Sequence, residues 1–97
     1  MIIWVTGKRK SGKTTLAKEL CKKMGAINLD GDSMRASIST DLGFSDEDRF
    51  THNIRVAKLA KVLEEQGFDV VVSTICPDVN NLRDEVYWVT GCKFINI

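Results

Sequence analysis

Gly7-Lys8-Arg9-Lys10-Ser11-Gly12-Lys13-Thr14 is the stretch that decides how this chain is read. It follows the apolar run Ile2-Ile3-Trp4-Val5 and leads directly into Thr15-Leu16-Ala17-Lys18-Glu19-Leu20, whose pattern is helical. The stretch fits G-x-x-x-x-G-K-[ST], and a strand before it with a helix after it is the context such a match requires. Gly7 and Gly12 permit backbone angles and close approaches that a side chain would block. Successive N–H groups, with the positive end of the helix dipole behind them, then surround a polyphosphate. The expected phosphate-contacting set is Gly7, Lys8, Arg9, Lys10, Ser11, Gly12, Lys13, Thr14 and Thr15. Lys13 is expected to reach the terminal phosphates, and the Thr14 hydroxyl to ligate Mg²⁺. The competing reading, a glycine-rich turn with an exposed lysine, leaves the flanking strand and helix without a purpose.

Working outward, 97 residues allow one domain, residues 1–97, near the small end of the usual range. With 43% hydrophobic and 28% charged residues, the composition is that of an ordinary folded protein rather than a disordered one. A net charge of +1 removes any electrostatic argument for nucleic acid or a membrane surface as partner. Cys21, Cys76 and Cys92 are odd in number, form no C-x-x-C pair and have only His52 for company, which argues against a zinc site or other metal cluster. Free thiols in a reducing compartment are the simpler reading. The strand at the very start leaves no room for a signal peptide, and no apolar run approaches the ~20 residues that span a bilayer. The expectation is a cytoplasmic protein.

The rest of the chain alternates strands and helices. A helix is expected from about Lys13 to Met24, ended by Gly25, then a strand at Ala26-Ile27-Asn28-Leu29 running into Asp30-Gly31-Asp32. Strand, helix and strand within roughly thirty residues make a βαβ unit, hence parallel pairing. Residues 33–39 are ambiguous, with a short helix possible, and residues 41–44 are a loop. Ser45 and Asp48 have capping-box spacing at the head of the longest helix, which runs to about Gln66 with Val56, Leu59, Ala60 and Leu63 as its apolar stripe. Val70 to Ile75 is the most strand-like run and is expected to be central. Residues 78–88 are helix-like, Gly91 ends that helix, and Phe94-Ile95-Asn96-Ile97 is a fourth strand. The fold class is α/β: a three-layer α/β/α arrangement around a mainly parallel sheet of about four strands.

In open parallel sheets the ligand lies beyond the carboxyl ends of the strands, which nominates the glycine loop, the Asp30–Asp32 turn and the Ser73–Pro77 turn. Phosphoryl transfer asks for a carboxylate near the metal or the attacking hydroxyl. Asp69 lies at the wrong end of its strand, leaving Asp30 and Asp32 as candidates beside Lys13; as a plain Asp-Gly turn they would carry no chemistry. On the long helix Arg49, Asn53, Val56, Ala60 and Leu63 share one face, polar at its start and apolar later. That pattern suits a cleft and equally suits a solvated first turn. Arg35 is a candidate anion clamp, and Phe44 either a platform for a base or a core anchor.

Asp30-Gly31-Asp32-Ser33-Met34-Arg35, then Asp41-Leu42-Gly43-Phe44-Ser45, then Asp48-Arg49 and Asn53-Ile54-Arg55 resemble the adenylylsulfate (APS) kinase family. That family carries D-G-D-x-x-R, D-L-G-F-S and D-R-x-x-N-I-R in this order with close to these gaps, and the likeness covers residues 1 to about 77. The resemblance implies a P-loop kinase that moves the γ-phosphate of MgATP to the 3′-hydroxyl of adenylylsulfate. It further implies that Asp32, Arg35, Phe44, Arg49, Asn53 and Ile75 bind the acceptor, Phe44 by stacking on adenine. Thr14 and Asp30 would hold Mg²⁺, and Lys13, Asp30 and Asp32 would be catalytic. The alternatives are a related kinase for a nucleoside, sugar or polynucleotide hydroxyl, and a nucleotide-binding module without turnover.

The sequence departs from the family in two places. Lys8, Arg9 and Lys10 fill a loop usually rich in small residues (G-x-S-G-S-G-K-[ST]). Thr74-Ile75-Cys76-Pro77-Asp78-Val79 stands where the family has F-I-S-P-[YF]-R, without its aromatic and arginine. The family also continues beyond a fourth strand, so the resemblance implies a chain short at its C-terminus, without the lid and the adenine contacts to ATP. A homodimer supplying such elements in trans is compatible with the sequence, which carries no signal for it.

Overall fold

The first strand, β1 (Ile2–Thr6), is buried along its whole length because helices cover both of its faces. This is why it reads as an uninterrupted apolar run rather than an alternating one. The computed structural model describes residues 1–97. After β1 come α1 (Lys13–Met24), β2 (Ile27–Asp30), α2 (Gly31–Arg35), α3 (Asp46–Glu65), β3 (Val70–Ser73), α4 (Leu82–Thr90) and β4 (Lys93–Asn96). The four strands form one sheet in the order β2-β3-β1-β4, and every pair is parallel. Each connection is therefore a crossover, and helices are placed on the two faces.

Alternation along the strands divides the core. Ile3, Val5 and Val71 point to the face that α1 covers with Leu16, Ala17 and Leu20. Trp4, Val70 and Val72 point the other way, toward Val56, Ala57 and Ala60 of α3 and Leu82 and Val86 of α4. The result is the three-layer α/β/α arrangement read from the sequence, with β3 and β1 in the interior of the sheet. Gly25 ends α1 in the left-handed conformation at φ 67°, with its N–H on the Cys21 carbonyl.

Three elements differ from the sequence reading by two residues or more. The helix expected over residues 78–88 starts only at Leu82 and runs to Thr90, because Asn80 and Asn81 adopt left-handed φ values of 51° and 59° that no helix accommodates. The third strand stops at Ser73, two residues early: the Thr74 N–H makes the last bond to β1, on the Val5 carbonyl at 3.2 Å, and the Cys76 N–H turns to the Thr6 hydroxyl instead. The ambiguous segment after Asp30 is a short helix that begins at Gly31, ahead of residue 33.

At the head of α3 the Ser45 hydroxyl accepts from the Asp48 N–H at 3.1 Å, one half of the capping box. The other half is diverted, because Asp48 Oδ2 accepts from the Gly43 N–H at 2.8 Å and so pulls the preceding loop onto the helix. No helix is long and apolar enough to cross a membrane.

Candidate active site

The loop from Gly7 to Gly12 joins β1 to α1 at the carboxyl edge of the sheet. A Cβ on Gly7 would lie 2.5 Å from the Ile97 carbonyl oxygen and 2.8 Å from Ser11 Oγ, so only glycine fits there. Gly12 sits at φ 94° and opens α1 without any side-chain cap. The first main-chain bond of the helix is from the Leu16 N–H to the Gly12 carbonyl, which leaves the N–H groups of Lys13, Thr14 and Thr15 free at the positive end of the dipole. Lys10 is held at φ 63°, a left-handed angle that costs a lysine on the order of 1–3 kcal/mol. Lys13 Nζ donates to the Lys8 carbonyl at 2.9 Å, folded back over its own loop. Ser11 Oγ is the one enclosed side-chain polar atom with no hydrogen-bond partner.

Asp30, the last residue of β2, joins three elements. Its Oδ1 accepts from the Thr14 hydroxyl of α1 at 3.5 Å and from the Ser73 hydroxyl at the end of β3 at 3.3 Å, while Oδ2 caps α2 through the Ser33 N–H. Close packing permits this meeting, since a Cβ on Gly31 would come within 3.0 Å of the Ser73 carbonyl oxygen. Asp32 stands beside it, exposed at the cleft.

On the other bank, Arg35 of α2 donates to the Gly43 carbonyl and lies over the Phe44 ring, 4.6 Å from its centroid. Burial, then the nearby Arg49 charge, lower the Arg35 pKa from its ordinary value. The Phe44 ring is 72% exposed, which sets aside the core-anchor reading. Arg55 fixes this bank from behind: its two terminal nitrogens bond both Asp41 carboxylate oxygens at 2.7 and 2.9 Å, and one also reaches the Ile38 carbonyl. The Arg55 hydrogen bonds lower the pKa of the Asp41 carboxyl.

The structure brings Lys13, Thr14, Asp30, Asp32, Phe44 and Arg49 around one cleft of about 460 Å³, with Arg9, Lys10 and Ile75 at its walls. A recess of about 80 Å³ opens from it between Arg35, Phe44, Arg49 and His52. Ser11, Gly12 and Thr15 line the mouth of α1, whereas Gly7 and Lys8 face a separate hollow of about 340 Å³ beside Asn96 and Ile97.

Asn53 does not reach the cleft. It is fully buried, its Nδ2 donating to the Arg49 and Ile75 carbonyls at 2.9 and 3.3 Å and its Oδ1 accepting from the Thr74 hydroxyl at 2.7 Å. Thr74 accepts in turn from Trp4 Nε1 at 2.9 Å, so a buried polar chain runs from β1 to α3. Three residues separate Arg49 from Asn53, where the D-R-x-x-N pattern has two, and one extra residue turns a helix by about 100°. The residue three places after Arg49 is His52, and it is His52 that lines the recess. Reasoning from sequence missed His52 as a site residue, and nominated Ser73 and Thr74 only as part of the Ser73–Pro77 turn, with no role for either. The signal for His52 was its i+3 relation to Arg49; for the other two it was a polar pair ending an all-valine strand.

A family profile described as "Adenylylsulphate kinase" matches residues 1–97. The probable adenylyl-sulfate kinase of Archaeoglobus fulgidus is 41% identical over 81 residues, which is 78% of this chain and 52% of that protein. The adenylyl-sulfate kinase of Paraburkholderia xenovorans is 42% identical over 87 residues, 84% of this chain and 49% of that protein. The chain thus spans about half the length of these curated relatives. Among solved structures, the Mycobacterium tuberculosis APS kinase CysC in complex with AMPPNP and APS superposes with a TM-score of 0.84 at 32% identity, covering 98% of this chain and 59% of that one. A sugar kinase from Janibacter superposes at 0.79 with 20% identity, a likeness of fold alone. The chain belongs to the adenylylsulphate kinase family.

Proposed function

We propose that this chain carries the phosphate-binding and acceptor-binding core of an ATP-dependent kinase acting on the 3′-hydroxyl of adenylylsulfate. The observation that carries the reading is that the glycine loop and the residues of the three family motifs, 16 to 40 residues apart, open onto one cleft. A phosphoryl donor and a nucleotide acceptor have to meet in such a space for direct transfer.

The donor side suits a polyphosphate. Three free N–H groups at the mouth of α1 are donors awaiting an anion. Lys13 has only the Lys8 carbonyl to release before it extends to a terminal phosphate. Mg²⁺ fits the oxygens present: it takes one or two protein ligands and otherwise keeps water and phosphate oxygens, and Thr14 Oγ1 and Asp30 Oδ1 lie 3.5 Å apart at the cleft edge. There Mg²⁺ would offset negative charge on the phosphates. Asp32, exposed and without a hydrogen-bond partner, is placed to accept the proton of the acceptor hydroxyl. Arg35 and Arg49 supply positive charge for the phosphosulfate, and Phe44 offers an open face to the base. Asn53 acts from behind, setting the Thr74–Ile75 turn and the Arg49 carbonyl. Because ATP is its donor, we place the protein in the cytoplasm.

The test is transfer from γ-labelled MgATP to adenylylsulfate, with a polynucleotide and simple sugars as control acceptors. Label in the adenylylsulfate product alone supports the proposal. Label in another acceptor keeps the chemistry and overturns the acceptor. Binding of adenylylsulfate without label in any product points to a nucleotide-binding module.

A further inference from the structure

His52 is 97% removed from solvent, and the acceptor reading above gives it no task. Its Nδ1 lies 2.7 Å from the hydroxyl of Ser39, itself 1% exposed, and neither side chain has another hydrogen-bond partner. Two tautomers are open to such a pair. If Nδ1 carried the proton, the Ser39 hydroxyl would accept it and its own hydrogen would be left buried without an acceptor. If the hydroxyl donates to Nδ1 instead, its hydrogen and the Nδ1 lone pair are both satisfied and the ring proton sits on Nε2. An unpaired buried donor costs on the order of 1–3 kcal/mol, which decides for the second arrangement.

Nε2 then remains as an N–H with nothing to donate to. Ser11 Oγ is the only enclosed polar side-chain atom left without a partner, so Nε2 is not sealed within the protein and opens onto the recess that His52 lines. The ring is also held neutral, by burial first and by the positive charges of Arg35 and Arg55 second. The recess, which Phe44 also lines, therefore offers two kinds of donor: the guanidinium groups of Arg35 and Arg49, suited to charged oxygens, and one uncharged N–H.

We propose that His52 is a specificity-determining residue of the acceptor pocket, its Nε2–H donating to a ring nitrogen of the purine stacked on Phe44, with Ser39 as the positioning residue that fixes the tautomer. A neutral donor favours an uncharged acceptor, because phosphate or sulfate oxygens gain more from the arginines beside it. A base that carries a hydrogen at that ring position would set donor against donor and be rejected. The proposal rests on the adenylylsulfate reading.

The experiment measures, by calorimetry, the affinity of the whole chain for adenylylsulfate and its 1-, 3- and 7-deaza analogues, each lacking one ring nitrogen. It uses wild type, His52→Gln, and the double variant Ser39→Ala/His52→Leu, which removes both partners of the buried pair so that neither is stranded. Wild type should lose about tenfold with one deaza compound and little with the other two. The double variant should lose about tenfold with the parent ligand and nothing more with that same deaza compound. His52→Gln, which restores a side-chain N–H, should recover part of the loss. An equal loss by the double variant across all four ligands would mean a structural role and overturns the proposal. No binding of adenylylsulfate by wild type overturns the acceptor reading and this inference together; binding that is indifferent to both variants overturns this inference alone.

Discussion

The two banks of the cleft meet at Asp30 and Thr14 but are built in opposite ways. The phosphate side is one unbroken segment, and its working groups are mostly backbone: a glycine pressed against the Ile97 carbonyl, a second at φ 94°, and an uncapped helix start. The acceptor side has no such segment. It collects Asp32 and Arg35 from α2, Phe44 from a loop, Arg49 and His52 from α3, and Ile75 from beyond β3, with the Asp41–Arg55 pair and the Trp4–Thr74–Asn53 chain bracing them. Function written in backbone yields to backbone changes and to loss of the lysine that follows the second glycine. Function assembled from side chains can be weakened a residue at a time.

The largest effect should come from Lys13→Ala, which is expected to cut transfer at least about 100-fold, the scale of losing one preorganised electrostatic contact. Stability should stay within about 0.5 kcal/mol, because Lys13 gives up only one bond to the Lys8 carbonyl. A thermal melt beside the labelled-phosphate assay separates the two; a rate within tenfold of wild type would end the claim that this bank depends on that cation.

Acid should act on the other bank. His52 has its pKa lowered to about 4 from 6.5, so between those values the unfolded chain binds the proton and the folded one does not. Stability is then full above about pH 6.5 and falls as pH drops toward 4, by up to about 3 kcal/mol. The charged groups near the ring are Arg35 on α2 and Arg49 and Arg55 on α3, with Asp32 across the recess; Ser39 and Thr74 bring no charge. Denaturant midpoints taken from pH 7 to 4 should slope steeply for wild type and less for Ser39→Ala/His52→Leu. Parallel slopes would remove the histidine from the account.

Asn53→Ala should cost about 1–3 kcal/mol in urea unfolding, since it leaves the buried Thr74 hydroxyl hydrogen without its acceptor. Phe44→Ala should lower acceptor affinity by about tenfold or more, the scale of one stacked base, with ATP affinity and stability unchanged because the ring is exposed. A matching loss of ATP affinity in that variant would show the banks to be one coupled unit rather than two. The smallest effect is expected for Asp41→Asn: little change in stability, as for exposed ion pairs, with a few-fold rise in acceptor KM as the loop loosens.

What could be read from the chain alone follows this same division. Gly7 to Thr14 declared its structure because every part of it is local: glycines, a helix start and a lysine in consecutive positions. The strand and helix order followed from apolar runs and helical spacing, and the parallel sheet from the lengths of its crossovers. The family was legible as well, from Asp30 to Arg35 and from Asp41 to Arg49.

Tertiary structure decided where side chains point. Asn53 and His52 are adjacent in sequence, yet about 100° of helical rotation sends one into the core and the other into the recess. Which of them faces the ligand depends on how α3 rolls against β3, and that is set by Val56, Ala57 and Ala60 packing on Val70 and Val72. Ser73 and Thr74 likewise acquire their partners only because β2 and β3 end side by side and β1 brings Trp4 alongside β3. Backbone-borne chemistry is fixed by neighbours in sequence; side-chain chemistry is fixed by neighbours in space.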